Sequence, residues 1–414
     1  MLPASALVVD SQMKEQNFLL GVNYWPRKTA MFMWREFDRA AIDEDMAIIN
    51  DLGFSLVRIF LLWEDFQPTP KNVPAAMLDR LVELLETADK KNIKVVVTLF
   101  TGHLCGMNWL PPWMLLASAD LNQSPVFSMG KVRFNRTKNQ YTEAEIMEGQ
   151  IYFLEEVANA VSGHPALFSW DLGNEPSRWS ASFDNFAVEL WLQAMTETLK
   201  EKDDSLPLTL SFHFGDLGRS QGLTLGLAAK YLDYLSINGQ PQDIPWAEDP
   251  LSPTLPSFLG SLVRWLGKGP VMIKEFGLAT VSILPGPGDS DPGREVDRLL
   301  VSEEDAALLT ENALLHLRRS HLMGAFWKSY GDYHPTVWKW PPLDKRKAER
   351  FSGLVRYDGT PKVAASVFKS GPTPLGLEEI SSEWLDLSHE EYYQDPNQHL
   401  RRLYGRFREC CSSP

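Results

Sequence analysis

Of 414 residues only three are cysteine: Cys105, Cys410 and Cys411. So small a set excludes a disulfide-stapled scaffold, and no Cys-x-x-Cys spacing offers a zinc site. The neighbouring pair Cys410 and Cys411 lies at the C-terminal end, where poor order is expected. No run of about 18 apolar residues occurs, so no membrane-spanning helix and no membrane partner is expected. Met1 to Phe18 lacks a basic start followed by an uninterrupted apolar stretch. No export signal is therefore expected, and the chain reads as cytoplasmic. Positive charge is also short: 40 Lys and Arg stand against 54 Asp and Glu, a net charge of −14. Such a surface repels a polyanion, which argues against a nucleic-acid partner.

Several chemistries lack their motifs. There is no Gly-x-Ser-x-Gly elbow for a serine hydrolase. Gly267-Lys268-Gly269-Pro270 and Gly286-Pro-Gly288 do not have the spacing of a phosphate loop. His316 and His321 are five apart rather than the four that puts a metal pair on one helical face. No catalytic metal and no cofactor are expected, and no residue pattern specifies an oligomeric state.

What is present is a globular balance of 44% hydrophobic and 23% charged residues, with 14 tryptophans that suit a site stacking flat ligands. Short β-rich runs alternate with helical ones. Strands are predicted at Phe18–Tyr24, Leu56–Leu62, Ile93–Phe100, Ala166–Leu172, Leu206–Phe212, Leu232–Ile237, Val271–Phe276 and Met323–Lys328. Ile93–Phe100 is almost wholly apolar, as a strand covered on both faces should be. Helical patterns follow the strands, and Thr101 to Tyr141 is expected to be irregular. Eight β-then-α units predict an α/β protein with a (β/α)8 TIM barrel, long βα loops and a C-terminal extension. The expected division is residues 1–16 as an N-terminal tail, 17–370 as the barrel and 371–414 as the extension.

In a barrel, chemistry sits at the C-terminal ends of the strands. Glu175 ends the fourth strand and Glu275 the seventh, and these ends face each other across the mouth. Two opposed carboxyls are what glycosidic cleavage needs: one protonates the leaving oxygen and the other attacks the anomeric carbon. Arg58 beside a carboxylate would keep a nucleophile ionised, and an acid in a drier setting would have its pKa raised. Asn174 could donate to a sugar hydroxyl, and Trp327 offers a flat face to sugar C–H groups. Trp63, His103, His213, Asn238 and Gln240 lie at other strand ends, and Trp113 lies in the long loop after the third.

These residues carry a resemblance. Leu172-Gly-Asn174-Glu175-Pro176 and Ile273-Lys-Glu275-Phe276-Gly277 resemble the strand-four and strand-seven signatures of clan A glycoside hydrolases. Val57-Arg58-Ile59-Phe60 through Trp63-Glu-Asp-Phe-Gln67-Pro68 resembles the strand-two region of glycoside hydrolase family 5. The resemblance implies a retaining β-glycosidase with Glu175 as acid/base and Glu275 as nucleophile, acting on an oligosaccharide or glycoside. It places His103 and Trp327 around the cleaved sugar. The stretch from Gly21-Val-Asn-Tyr-Trp-Pro-Arg27 onward is similar to β-mannosidases and mannanases, and long tryptophan-bearing loops suggest a pocket that admits chain ends. An endo-β-mannanase or endo-glucanase, an exo-β-galactosidase, and a catalytically silent sugar-binding barrel are the alternatives. The sequence departs from the family on the sixth strand, where Asn238 and Gln240 stand in place of the usual His-x-Tyr.

Overall fold

The computed structural model describes residues 18–117, 121–240, 251–280, 300–370 and 378–412, with residues 5, 9, 244, 246, 247 and 249 besides. Eight parallel strands close into a barrel: β1 (Leu19–Asn23), β2 (Leu56–Leu62), β3 (Lys94–Thr101), β4 (Leu167–Asn174), β5 (Leu208–Phe212), β6 (Leu235–Asn238), β7 (Val271–Phe276) and β8 (Gly324–Trp327). Each is hydrogen-bonded to its sequence neighbours, and β1 pairs with β8 to close the ring. The strands are apolar along almost their whole length because helices cover the outer face and packed side chains fill the inside. Burying each Val, Leu or Ile contributes roughly 1.5–3 kcal/mol.

Helices α1 (Arg39–Asp51), α2 (Ala75–Lys90), α3 (Ala144–Val161), α4 (Asn185–Lys200), α5 (Leu225–Ala228), α6 (Leu255–Gly267), α7 (Glu303–Arg319) and α8 (Val363–Ser370) form the outer layer. Asp38 caps α1 by accepting from the amides of Ala40 and Ala41, and Asp184 caps α4 in the same way. The expected order of strands and helices is therefore the order found.

Three expectations need correction. The stretch after β3 is not irregular: it builds a small four-stranded sheet from His103–Leu104, Met107–Trp109, Leu121–Ser128 and Lys131–Asn135. Its two tight hairpins turn at Cys105-Gly106 and Met129-Gly130, where all four residues have positive φ. That is the backbone of a type I′ turn, whose twist matches the flanking strands. Second, the stretch expected as an N-terminal tail meets the barrel at Ser5 and Val9. Ser5 Oγ donates to Asp233 at 2.7 Å, and Val9 is buried with Leu56, Tyr234, Met272 and Met323 at the barrel floor. Third, Cys410 and Cys411 are ordered in α10 (Pro396–Ser412), and Cys411 is buried.

The extension docks on α6. Phe258 meets Trp384, Tyr404 and Phe407, while Trp265 meets His389 and Tyr392 of α9 (His389–Gln394). The Tyr392 hydroxyl donates to the carbonyl of Leu217, which ties the extension to the loop after β5.

Candidate active site

The register slips at several strand ends, and two of the slips fall just before residues that line the mouth. Between β6 and β7 it falls at Ile237/Asn238, so that Asn238 pairs with Glu275. Between β4 and β5 it falls before Asn174. Glu175 then takes up a left-handed backbone, φ 49° and ψ 54°. This conformation costs a side-chain-bearing residue about 1–3 kcal/mol. The Glu175 amide donates to the carbonyl of Ser211 at 2.8 Å, which pins the strained residue to β5.

The result is a cavity with about 820 Å³ of open space, its mouth included. Seven of the residues expected in the site line it: His103, Asn174, Glu175, His213, Asn238, Gln240 and Glu275. Asn238 Nδ2 donates to Glu175 Oε1 at 2.7 Å, and Gln240 Nε2 donates to Glu275 Oε2 at 2.7 Å. The Gln240 orientation is fixed from behind. Its Oε1 accepts from Lys328 Nζ at 3.0 Å, and an ammonium has no lone pair to offer the amide nitrogen. Lys328 is in turn paired with buried Glu349 at 2.9 Å. Sequence reasoning misses both Lys328 and Glu349. Lys328 carries a signal, since it directly follows β8. Glu349 carries none, because its place depends on how the last loop folds back.

Arg58 departs from expectation. It does not bond to either glutamate but pairs with Asp171 at 2.8 Å, and it donates to Thr98, Asn174 Oδ1 and Ser211. Fully buried, it acts as a brace beneath the mouth: holding Asn174 Oδ1 turns the Asn174 amide nitrogen onto the carbonyl of His103, 2.5 Å away. The two imidazoles are held in opposite tautomers. His103 Nδ1 meets Asn108 Oδ1 at 2.7 Å and so carries the proton, which leaves Nε2 an acceptor. His213 Nδ1 accepts from the Gly215 amide at 3.0 Å, so its Nε2 is the donor. Burial, reinforced by nearby Arg178, holds His103 neutral down to about 3.

The carboxyl of Glu275 is raised to about 7. Burial is the main cause and the charge of Glu175 adds to it, while Lys328 and Arg58 oppose. The raised pKa is expected of the acid and is found on Glu275, the residue expected to be the nucleophile. The reason is that Arg58 is committed to Asp171 and Lys328 to Glu349, so neither cation fully compensates Glu275. The protonation of Glu275 is therefore coupled to the charge of Glu175.

Three tryptophans expected in the site lie outside the lining. Trp63 and Trp113 pack edge to face at 5.3 Å, with Phe100 and Trp179 alongside, and Trp63 donates to Gln67. Trp327 is buried behind the mouth between Phe276 and Phe368 and donates to the carbonyl of Ser352. It lies so close to Gly277, φ 130°, that a Cβ there would meet the indole at 2.8 Å. Of the loop tryptophans, Trp246 packs under α10 against Tyr404, whereas Trp109 and Trp340 both pack on Phe32 and brace one wall. Among the described residues no group of three or more His, Cys, Asp and Glu side chains could hold a metal ion. None of their helices is long and apolar enough to cross a membrane.

Comparison with known proteins agrees with this architecture. Residues 31–211 match the family model described as Glyco_hydro_42, beta-galactosidase. No curated protein matches. Solved structures do. An exo-β-1,4-mannosidase from Opitutaceae bacterium strain TAV5 is 24% identical, with TM-score 0.67 over 86% of this chain and 59% of that one. A GH5_18 protein from Streptomyces cattleya, in complex with Manβ1-4GlcNAc, is 19% identical with TM-score 0.70 over 88% and 83%. A GH5_18 protein from Bifidobacterium longum subsp. infantis is 18% identical with TM-score 0.67 over 85% and 78%. These structures share the (β/α)8 barrel fold of this chain. The chain spans about three fifths of the length of the mannosidase it matches.

Proposed function

We propose that the protein is a retaining β-glycosidase. The observation that carries this reading is the pair Glu175 and Glu275, at opposite strand ends in one cavity, each held by its own amide donor. Glu275 attacks the anomeric carbon while Glu175 gives its proton to the departing oxygen, forming a covalent glycosyl-enzyme. Glu175 then takes a proton from water, which attacks the same carbon and frees Glu275. The Gln240 amide holds the attacking carboxylate in place, and the Asn238 amide does the same for the acid. His103, Asn174 and His213 offer acceptor and donor atoms to sugar hydroxyls.

The reading extends to release of single sugars from chain ends, with β-mannosides as substrates. Arg346, in the loop after β8, lies across Gly106 in the loop after β3, so two loops meet over one side of the mouth. Gly106, φ 73°, leaves the guanidinium the space that any Cβ would fill. Mannoside specificity draws on the exo-β-1,4-mannosidase and the Manβ1-4GlcNAc complex among the structural neighbours. A 2-deoxy-2-fluoro mannoside should label Glu275 and no other carboxylate. Mannohexaose should release mannose first. Early mannobiose and mannotriose would sink the exo assignment, and labelling elsewhere would sink the nucleophile. Cleavage of an aryl β-glucoside or β-galactoside without any mannoside would overturn the sugar alone.

A further inference from the structure

The cavity has more cationic equipment than glycosidic cleavage of a neutral sugar requires. Of its three cations, Lys328 is committed to Glu349 and Gln240. Arg178 and Arg346 are not: neither guanidinium has a hydrogen-bond or ion-pair partner among the described residues. Both line the same cavity as His103, and the charge of each adds to burial in lowering the His103 pKa. They come from different loops. Arg178 closes the short turn that begins at Glu175, and Arg346 reaches over Gly106 from the loop after β8. Arg178 is exposed and Arg346 half-buried, and both line the cavity, so both guanidiniums are open to a ligand that enters it.

We infer that the substrate carries an oxyanion, a sugar carboxylate or a sugar phosphate, bound between Arg178 and Arg346. The inference rests on the glycosidase reading of this cavity and departs from its neutral mannoside: ready release of mannose from mannohexaose with no anionic preference would overturn it. A planar guanidinium offers paired N–H groups in the geometry of a carboxylate or phosphate, and charge assistance makes such bonds stronger than those to hydroxyls. His103 supports the arrangement by staying neutral, so that its Nε2 accepts from a hydroxyl. Glu175 and Glu275 do not cancel the attraction, since the working state carries a proton on one of them.

Binding rather than turnover gives the cleanest test. Calorimetric titration would compare glucuronate, galacturonate and mannose 6-phosphate with glucose, galactose and mannose, and with inorganic phosphate. At least one anionic sugar should bind tenfold or more tighter than its neutral parent, and whether it is a uronate or the phosphosugar identifies the oxyanion. Arg178→Gln and Arg346→Gln should each reduce that ratio, and together bring it close to one. Neutral sugars binding as tightly as anionic ones would overturn the inference. So would a ratio that survives both replacements, or inorganic phosphate binding as tightly as mannose 6-phosphate. Should Glu275 resist labelling while the anionic preference holds, the glycosidase reading fails and the anion site stands. Hydrolysis of neutral aryl glycosides with no anionic preference removes the anion site and leaves the glycosidase reading standing.

Discussion

Asn238 and Gln240 stand two residues apart at the end of β6, and each donates to one of the two glutamates at 2.7 Å. Asn238 is the last residue of β6 and Gln240 lies just beyond it, so the segment leaving that strand carries both donors. One strand end therefore sets the spacing of both carboxyls. The departure from the usual His-x-Tyr on the sixth strand replaces an imidazole and a phenol with two amides. An amide cannot titrate, so the Glu275 carboxyl is raised by burial and by the charge of Glu175, with Lys328 opposing.

Glu175→Ala should slow substrates with poor leaving groups by about 10²–10⁴-fold and activated aryl glycosides far less, because only the former need protonation. Azide should restore rate and yield a β-glycosyl azide. An α-azide product would mean that the reaction inverts.

The acidic limb of kcat/KM should lie near pH 7, above the ordinary carboxylate range, because Glu275 attacks only when ionised. Lys328→Met combined with Glu349→Gln removes a stabilising cation and the charge it would otherwise strand. The net effect raises the Glu275 pKa further, since Lys328 outweighs Glu349 at that carboxyl. The limb should move up by about one pH unit. A limb that stays in place would show that Lys328 does not act on the nucleophile.

Stability should carry the same signature. A folded pKa of about 7 against the ordinary 4.5 means that the native state holds a proton the unfolded chain has lost between those values. Stability from this group is then complete below pH 4.5 and declines as pH rises through 7. Glu275→Gln abolishes the decline. Its melting temperature should exceed that of the parent at about pH 8, and the gap should close as pH falls toward the ordinary carboxylate range. Equal melting temperatures at both ends of that range would contradict the raised pKa.

Much of this is legible from sequence, and the exceptions share a cause. The barrel order follows from periodicity, and the mouth residues from asking which side chains end each strand. His103, Asn174, Glu175, His213, Asn238, Gln240 and Glu275 are all reached in that way, and all line one cavity. The hairpins at Cys105-Gly106 and Met129-Gly130 are hidden because neither pair is the Asn-Gly that announces a type I′ turn. Trp63, Trp113 and Trp327 mislead because an indole near a strand end serves packing as readily as binding. Arg346 and Glu349 are out of reach, since their positions depend on loops meeting in space, whereas Arg178 lies only three residues past Glu175.

The strain at Glu175 can be measured. Its backbone, φ 49° and ψ 54°, is one that glycine adopts freely and alanine does not. The carboxyl is aimed at the cavity because the chain turns left-handed there, and the Ser211 carbonyl and Asn238 amide hold it against relaxation. Both Glu175→Ala and Glu175→Gly delete the carboxyl, so the hydrogen bond to Asn238 is missing equally from the two variants. They differ in what the backbone costs. Glycine relieves the left-handed strain but loses more chain entropy on folding, about 0.5–1 kcal/mol relative to alanine. The strain of an L-residue there is about 1–2 kcal/mol, which wins by a small margin. Glu175→Gly should therefore unfold at an equal or higher denaturant concentration than Glu175→Ala, with the same slope, while both lack acid catalysis. If the alanine variant proves clearly the more stable, the turn at Glu175 is not strained, and the aim of the acid comes from its hydrogen bonds alone.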